Sequence, residues 1–167
     1  MFSLKDKTAI VSGGSKGIGK AIALKYAEAG ANVVICSRKK DNLDSTVAEA
    51  NSSGLDIVGI KCNTGDIKSI QQVVDHTIEK FGKIDILVNN AAANPYYGPI
   101  LNSEDSHWEK IWDVNVKGYF NFIKACSSSM EQHQYGKIIN VSSVAAKTPL
   151  DGLGVYNISK AAVVMLT

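Results

Sequence analysis

A chain of 167 residues is long enough for one domain with its own core. With 45% hydrophobic and 20% charged residues it has the composition of a folded globular protein, which excludes disorder. A net charge of +2 is too small to point to a nucleic acid or a membrane surface, and no apolar run is long enough to span a bilayer.

The amino terminus, MFSLKDKTAIVSGG, lacks the apolar stretch of a signal peptide and reads as a short lead into a first strand. TAIVSG (8–13) is predicted as that strand, entering a glycine loop. Residues 18–29 read as a helix closed by Gly30, and NVVICS (32–37) as a second strand. Residues 41–50 read as helix before the turn residues NSSG, and DIVGIKC (56–62) as a third strand. Ile70, Val73, Val74, Ile78 and Phe81 recur three to four residues apart, which predicts a helix ending at Gly82. IDILVNN (84–90) is a fourth strand whose continuous apolar run suits a sheet buried on both faces.

AAANPYYGPILN follows, with proline and glycine at turn positions. Ser103 is the predicted N-cap of a helix that runs to about His133, with or without a break. KIINVSS (137–143) is a fifth strand. A loop holding Pro149, Gly152 and Gly154 leads to a last helix, Val155 to Thr167. This alternation predicts one domain over 1–167, an α/β doubly wound parallel sheet with helices on both faces. Ligands in such sheets bind at the carboxyl ends of the strands. Polar and glycine-rich residues cluster at those ends: 12–19, 37–40, 63–66, 89–94 and 142–143.

Three cysteines, Cys36, Cys62 and Cys126, are far apart with no CxxC spacing, so they read as buried free thiols of a reducing, cytoplasmic-type compartment. The three histidines are scattered, and no metal site is expected.

In SGGSKGIG (12–19), Gly13, Gly17 and Gly19 have the spacing of a phosphate-binding turn into a helix N-terminus. Gly14 to Lys20 also imitates a nucleotide-triphosphate loop, GxxxxGK, but Ala21 lacks the hydroxyl that would hold Mg²⁺. After the second strand, where a carboxylate would accept from a ribose 2′-OH, the sequence reads ICSRKK. Ser37, Arg38 and Lys39, with Lys16 in the glycine loop, favour a 2′-phosphate and hence NADP(H).

YNISK places Tyr156 and Lys160 four residues apart, on one face of the last helix. An ammonium beside a phenol favours its ionised form, which suits proton transfer. The pair alone has low specificity; its weight comes from following the fifth strand and Ser143.

Together these motifs resemble the short-chain dehydrogenase/reductase family, along the whole chain and in order. SGGSKGIG is similar to its TGxxxGxG loop, NNAA (89–92) to its NNAG, and Asn115, Ser143 and YxxxK to its helix asparagine, serine and tyrosine–lysine pair. The string NNAAANPYYG further resembles NADPH carbonyl reductases of the dehydrogenase/reductase member-4 type.

The resemblance implies a Rossmann-like fold and hydride transfer between NADP(H) and a carbonyl or alcohol substrate. It implies Tyr156 as general acid or base, and Lys160 on the nicotinamide ribose. Ser143 would bond the substrate carbonyl, and Asn115 would hold a relay water. The cofactor would be held by Gly13, Ser15, Lys16, Gly17, Ile18 and Gly19, by Ser37, Arg38 and Lys39, by Asn63 and Thr64 at the adenine, and by Asn90 and Ala91, with Tyr156 and Lys160 at its reacting end. Ser142 reads as structural, facing the other side of its strand. The expected partners are a small-molecule substrate and, in the full-length form, further copies of the chain.

Two departures from the family pattern stand out. Ala92 replaces a glycine near the cofactor path. Family members are also longer, so the resemblance implies that the last strands, the substrate loop and its lid helix are missing from this chain. A 3-oxoacyl thioester reductase shares every motif quoted, and a noncatalytic dinucleotide-binding module is the alternative from another class.

Overall fold

Five strands form one parallel sheet: β1 (Thr8–Ser12), β2 (Asn32–Ser37), β3 (Ile57–Lys61), β4 (Ile86–Asn89) and β5 (Lys137–Asn140). Their order across the sheet is β3-β2-β1-β4-β5. This computed structural model describes residues 3–167; Met1 and Phe2, the start of the predicted lead, lie outside the described residues.

Successive strand residues face opposite sides, so the sheet feeds two cores. Ala9, Val11, Val33, Ile35 and Val88 pack on one face beneath α1 (Gly17–Glu28) and α2 (Lys40–Ser52), which contribute Ala23, Leu43 and Ala50. Ile10, Val34, Cys36 and Leu87 pack on the other face. Ile70, Val73 and Val74 of α3 (Ile67–Phe81) and Phe122, Cys126 and Met130 of α5 (Gly118–Gln132) cover it. A strand covered on both faces reads as an unbroken apolar run, as in the predicted fourth strand. Gly82 ends α3 with φ of 77°, as predicted. Among the described residues no helix is long and apolar enough to cross a membrane.

Two predicted elements differ in detail. The long helix does carry a break, of the kind its reading allowed, and its predicted cap is wrong: α4 (Asp105–Trp112) passes into a π-helical turn, Asp113–Lys117, before α5 begins. Gly118 follows the turn because a Cβ there would run into the Thr64 carbonyl oxygen. Ser103 does not cap α4. It donates to the Ile100 carbonyl at 2.6 Å and accepts from Trp108 Nε1 at 2.9 Å, so the helix starts after Glu104.

The fifth strand also stops sooner than predicted. Val141 N still donates to the Asn89 carbonyl at 2.8 Å. Ser142 then donates to the Lys160 carbonyl at 2.9 Å, and Ser143 accepts from Ala145 N at 3.1 Å to open a 3₁₀ turn, Val144–Ala146. The last helix, α6 (Gly154–Leu166), packs against that turn.

Asp85 ties the amino ends of three strands together. Its Oδ2 accepts from Thr8 N at 2.9 Å, its own carbonyl accepts from Lys137 N at 2.9 Å, and Lys7 and Lys83 pair with it at 3.5 and 3.2 Å. At 2% exposure this carboxylate depends on those partners. Asp85→Ala leaves a buried amide unpaired and is expected to cost about 2–3 kcal/mol in equilibrium urea unfolding.

Candidate active site

The sheet changes direction between β1 and β4, and a crevice opens at the carboxyl ends of those two strands. Ser12 and Asn90 lace its floor. The Ser12 hydroxyl accepts from Asn90 N at 3.0 Å and Ala91 N at 3.2 Å and donates to the Val88 carbonyl at 3.3 Å. The Asn90 side-chain amide donates to the carbonyls of Ser12 at 3.0 Å and Gly13 at 3.2 Å. The strand ends therefore cannot splay, and the glycine loop is held against β4.

Gly13 and Gly17 have φ of 66° and 55°, in the left-handed region that favours glycine. At Gly19 a Cβ would strike the Gly13 carbonyl and the Asn90 amide. Helix α1 starts at Gly17 with no side-chain cap and no acid in its first turn. Its first N–H groups and positive dipole end are thus left for an anion.

A cavity of about 410 Å³ lies over this loop. It gathers Gly13, Ser15, Lys16, Gly17 and Ile18 with Ser37, Arg38 and Lys39 at the end of β2, and with Thr64, Asn90 and Ala91 across the crevice. Three cations line it and no carboxylate does. Asn63 faces an adjoining cavity of about 450 Å³ that shares Arg38 and Cys62. A dinucleotide fits this cradle: glycines where backbone must approach a phosphate, an uncapped helix end, and cations in place of an acid.

Sequence reasoning missed three lining residues, Asn42, Cys62 and Val114. Cys62 was legible only as a core thiol. It is buried, as are Cys36 and Cys126, yet it also forms cavity wall. The Cys36 thiol donates to the Cys62 sulfur, which pushes Cys36 up and draws Cys62 down despite its burial. Cys126, in the apolar core, is pushed up to about 12 by burial.

None of the four residues predicted for chemistry lines this cavity; Asn115 directly follows Val114, which does. Asn115, fully buried in the π-helical turn, accepts from Ala93 N at 2.7 Å and donates to the Ala93 carbonyl at 3.1 Å and to Ser159 Oγ at 3.0 Å. It therefore fixes the loop after β4 to helix α6. Lys160 is 2% exposed, and its ammonium donates to the Val141 carbonyl at 2.7 Å and to the Tyr119 hydroxyl at 3.3 Å. Burial lowers Lys160 to about 8.

Its Nζ lies 5.8 Å from the Tyr156 ring centroid. Tyr156 is half-buried, and its hydroxyl has no hydrogen-bond partner among the described residues. The Ser143 hydroxyl accepts from Ala145 N, which leaves its own proton free to donate. Such a set can pass a proton and stabilise negative charge on a bound oxygen.

A family model described as short chain dehydrogenase matches residues 7–167. The chain is 43% identical over 164 residues to Dehydrogenase/reductase SDR family member 4 of Oryctolagus cuniculus, covering 98% of this chain and 63% of that one. It is 40% identical to the Homo sapiens protein of the same name, covering 98% of this chain and 59% of that one. A crystal structure of NAD⁺-bound xylitol dehydrogenase matches with a TM-score of 0.93 and 29% identity, covering 98% of this chain and 63% of that one. The chain thus spans between 59% and 63% of the length of these curated relatives.

The buried ammonium has a cost that can be measured. Because the folded-state value of about 8 lies below the ordinary lysine value, the penalty is fully present below pH 8. It fades as pH rises from there toward about 10.4, where the unfolded chain also loses the proton. Lys160→Met is therefore expected to raise stability at neutral pH by on the order of 1–2 kcal/mol. Chemical denaturation across that pH range should show the gain shrinking as pH increases.

Proposed function

The chain belongs to the short-chain dehydrogenase family, and on that premise we propose an NADP(H)-dependent oxidoreductase that moves hydride between nicotinamide and a carbonyl or alcohol. In this reading residues 1–167 form a single dinucleotide-binding domain. One observation carries the cofactor assignment: the cavity over the glycine loop is lined by Lys16, Arg38 and Lys39 and by no carboxylate. An acid would repel a 2′-phosphate, whereas an arginine can clamp one with paired charge-assisted bonds.

Gly13, Ser15, Gly17, Ile18 and Gly19 would hold the pyrophosphate, Ser37, Arg38 and Lys39 the 2′-phosphate, Asn63 and Thr64 the adenine, and Asn90 and Ala91 the ribose. The bound dinucleotide supplies the hydride. The chain supplies alignment and charge. Tyr156 gives its hydroxyl proton to the substrate oxygen in reduction and takes one in oxidation. Ser143 donates to the same oxygen and stabilises the charge that develops there. Lys160, held by Val141 and Tyr119 with its Nζ 5.8 Å from the Tyr156 ring, would offer its remaining donor to the nicotinamide ribose. Asn115 keeps the π-helical turn, the loop at Ala93 and α6 in register, so that these groups meet one substrate. The substrate is a small molecule.

Two variants test this reading in the full-length protein. Arg38→Asp is expected to weaken NADPH binding about tenfold or more while leaving NADH less affected, as read by fluorescence titration. Unchanged NADPH affinity would overturn the 2′-phosphate assignment. Tyr156→Phe is expected to lower kcat/KM for ketone or aldehyde reduction by roughly 10²–10⁴-fold with dinucleotide binding retained. Turnover close to that of the unaltered protein would refute the proton-transfer role.

A further inference from the structure

Tyr119 is the second residue of α5, directly after the π-helical turn. It is 1% exposed. A phenylalanine would fill the same space without burying a hydroxyl, and a buried hydroxyl costs stability unless it finds partners. This one has two. It donates to the Val141 carbonyl at 3.3 Å and accepts from the Lys160 ammonium at 3.3 Å, while Lys160 donates to that same carbonyl at 2.7 Å. The three groups close a triangle in which the phenol proton is committed to Val141, so an oxygen lone pair faces the ammonium.

Asn115 and Tyr119 stand four residues apart and address consecutive residues of α6, Ser159 and Lys160. We infer that Tyr119 is a positioning residue for Lys160, its hydroxyl holding the side chain in its ammonium form in the cleft, an inference that rests on the hydride-transfer reading above.

Other groups around Lys160 do not take over this task. On its own helix the titratable neighbour is Tyr156, whose ring lies 5.8 Å away. Helix α4, packed on α6, carries Asp105, His107, Glu109 and Lys110. The π-helical turn carries Asp113 and Lys117, which pair with each other at 2.9 Å, and Lys147 follows the 3₁₀ turn in an exposed position. Among the described residues no carboxylate pairs with Lys160, so its compensation for burial comes from the two oxygens. Burial also raises the Tyr119 phenol well above its ordinary value, with Tyr156 adding to the shift, so Tyr119 stays neutral and remains an acceptor through the working range.

Losing the hydroxyl should make the Lys160 ammonium easier to deprotonate. The pH dependence of kcat/KM for the dinucleotide reports groups of the free enzyme. In the full-length protein, Tyr119→Phe is expected to move the alkaline limb of that profile to lower pH by about half a unit. The loss relative to the unaltered protein is then about 2.5-fold larger at about pH 8.5 than at about pH 6.5. A purely structural role gives the same loss at every pH, and that outcome would overturn the inference.

Should Tyr119→Phe fold poorly, 3-fluorotyrosine placed at position 119 alone keeps the shape and weakens the acceptor. It is expected to shift the limb in the same direction by less, and an unshifted limb counts against the inference. Direct titration of the Lys160 ammonium by nitrogen-15 NMR separates this inference from the reading beneath it. A lowered midpoint in the variant supports the Tyr119 bond whatever the turnover of Tyr156→Phe, whereas an unchanged midpoint sinks the inference even if Tyr156→Phe is inactive.

Discussion

The site depends on one constraint: an ammonium is kept charged where water scarcely reaches it. In such a place a lysine needs oxygen acceptors or it gives up its proton. The Val141 carbonyl is free to serve because the β4–β5 ladder closes at Val141 N, and the strand then turns away. The second acceptor, Tyr119, comes from the start of α5. The backbone is pinned as well, since Ser142 donates to the Lys160 carbonyl and Asn115 to the neighbouring Ser159. Head and backbone of one lysine are thereby fixed from three elements, which sets the rotation of α6. Tyr156, one turn earlier, faces the same side as a consequence.

The cofactor end is rigid for a different reason. There the backbone is tied to itself. Ser12 and Asn90 cross-link the ends of β1 and β4, and the contacts that a Cβ would meet at Gly13 and Gly19 are the Asn90 amide and neighbouring backbone. The glycine requirement in SGGSKGIG is therefore partly an internal packing requirement, met before any phosphate arrives. Arg38 and Lys39, in contrast, are exposed at the cavity edge. A change of dinucleotide preference at those positions should leave the fold intact, whereas a change at Gly19 should not.

Much of this was legible in the sequence. The five strands and their helices follow from apolar runs and periodicity, and the cavity gathers most residues of the predicted cofactor set. The π-helical turn was not legible. One extra residue in a turn leaves apolar spacing almost unchanged, so a broken and an unbroken helix over 105–132 look alike in sequence. Ser103 misled because its hydroxyl has two partners close by in the chain, Ile100 and Trp108, that outcompete the helix end. Tyr119 lies in none of the motifs, so nothing in the sequence singles it out. Cys62 looked like core, and it is core, but the cavity opens against it. In each case a local pattern was consistent with two environments, and packing decides between them, from near neighbours at Ser103 and from distant parts of the chain at Cys62.

The places where local rules fail divide into two kinds. Asp85 is a buried charge at the amino end of the sheet, but two lysines and the Thr8 amide meet its carboxylate. At the carboxyl end the exceptions remain open. Lys16 stands where a capping residue is preferred and caps nothing, so the first N–H groups of α1 lack a side-chain acceptor. Among the described residues the Tyr156 hydroxyl has no partner, the Ser143 proton is uncommitted, and Lys160 uses two of its three donors. Folding alone gives no reason to gather unsatisfied donors along one crevice and to bury a lysine beside them. A phosphate-bearing dinucleotide at one end and a separate substrate oxygen at the other would engage them together.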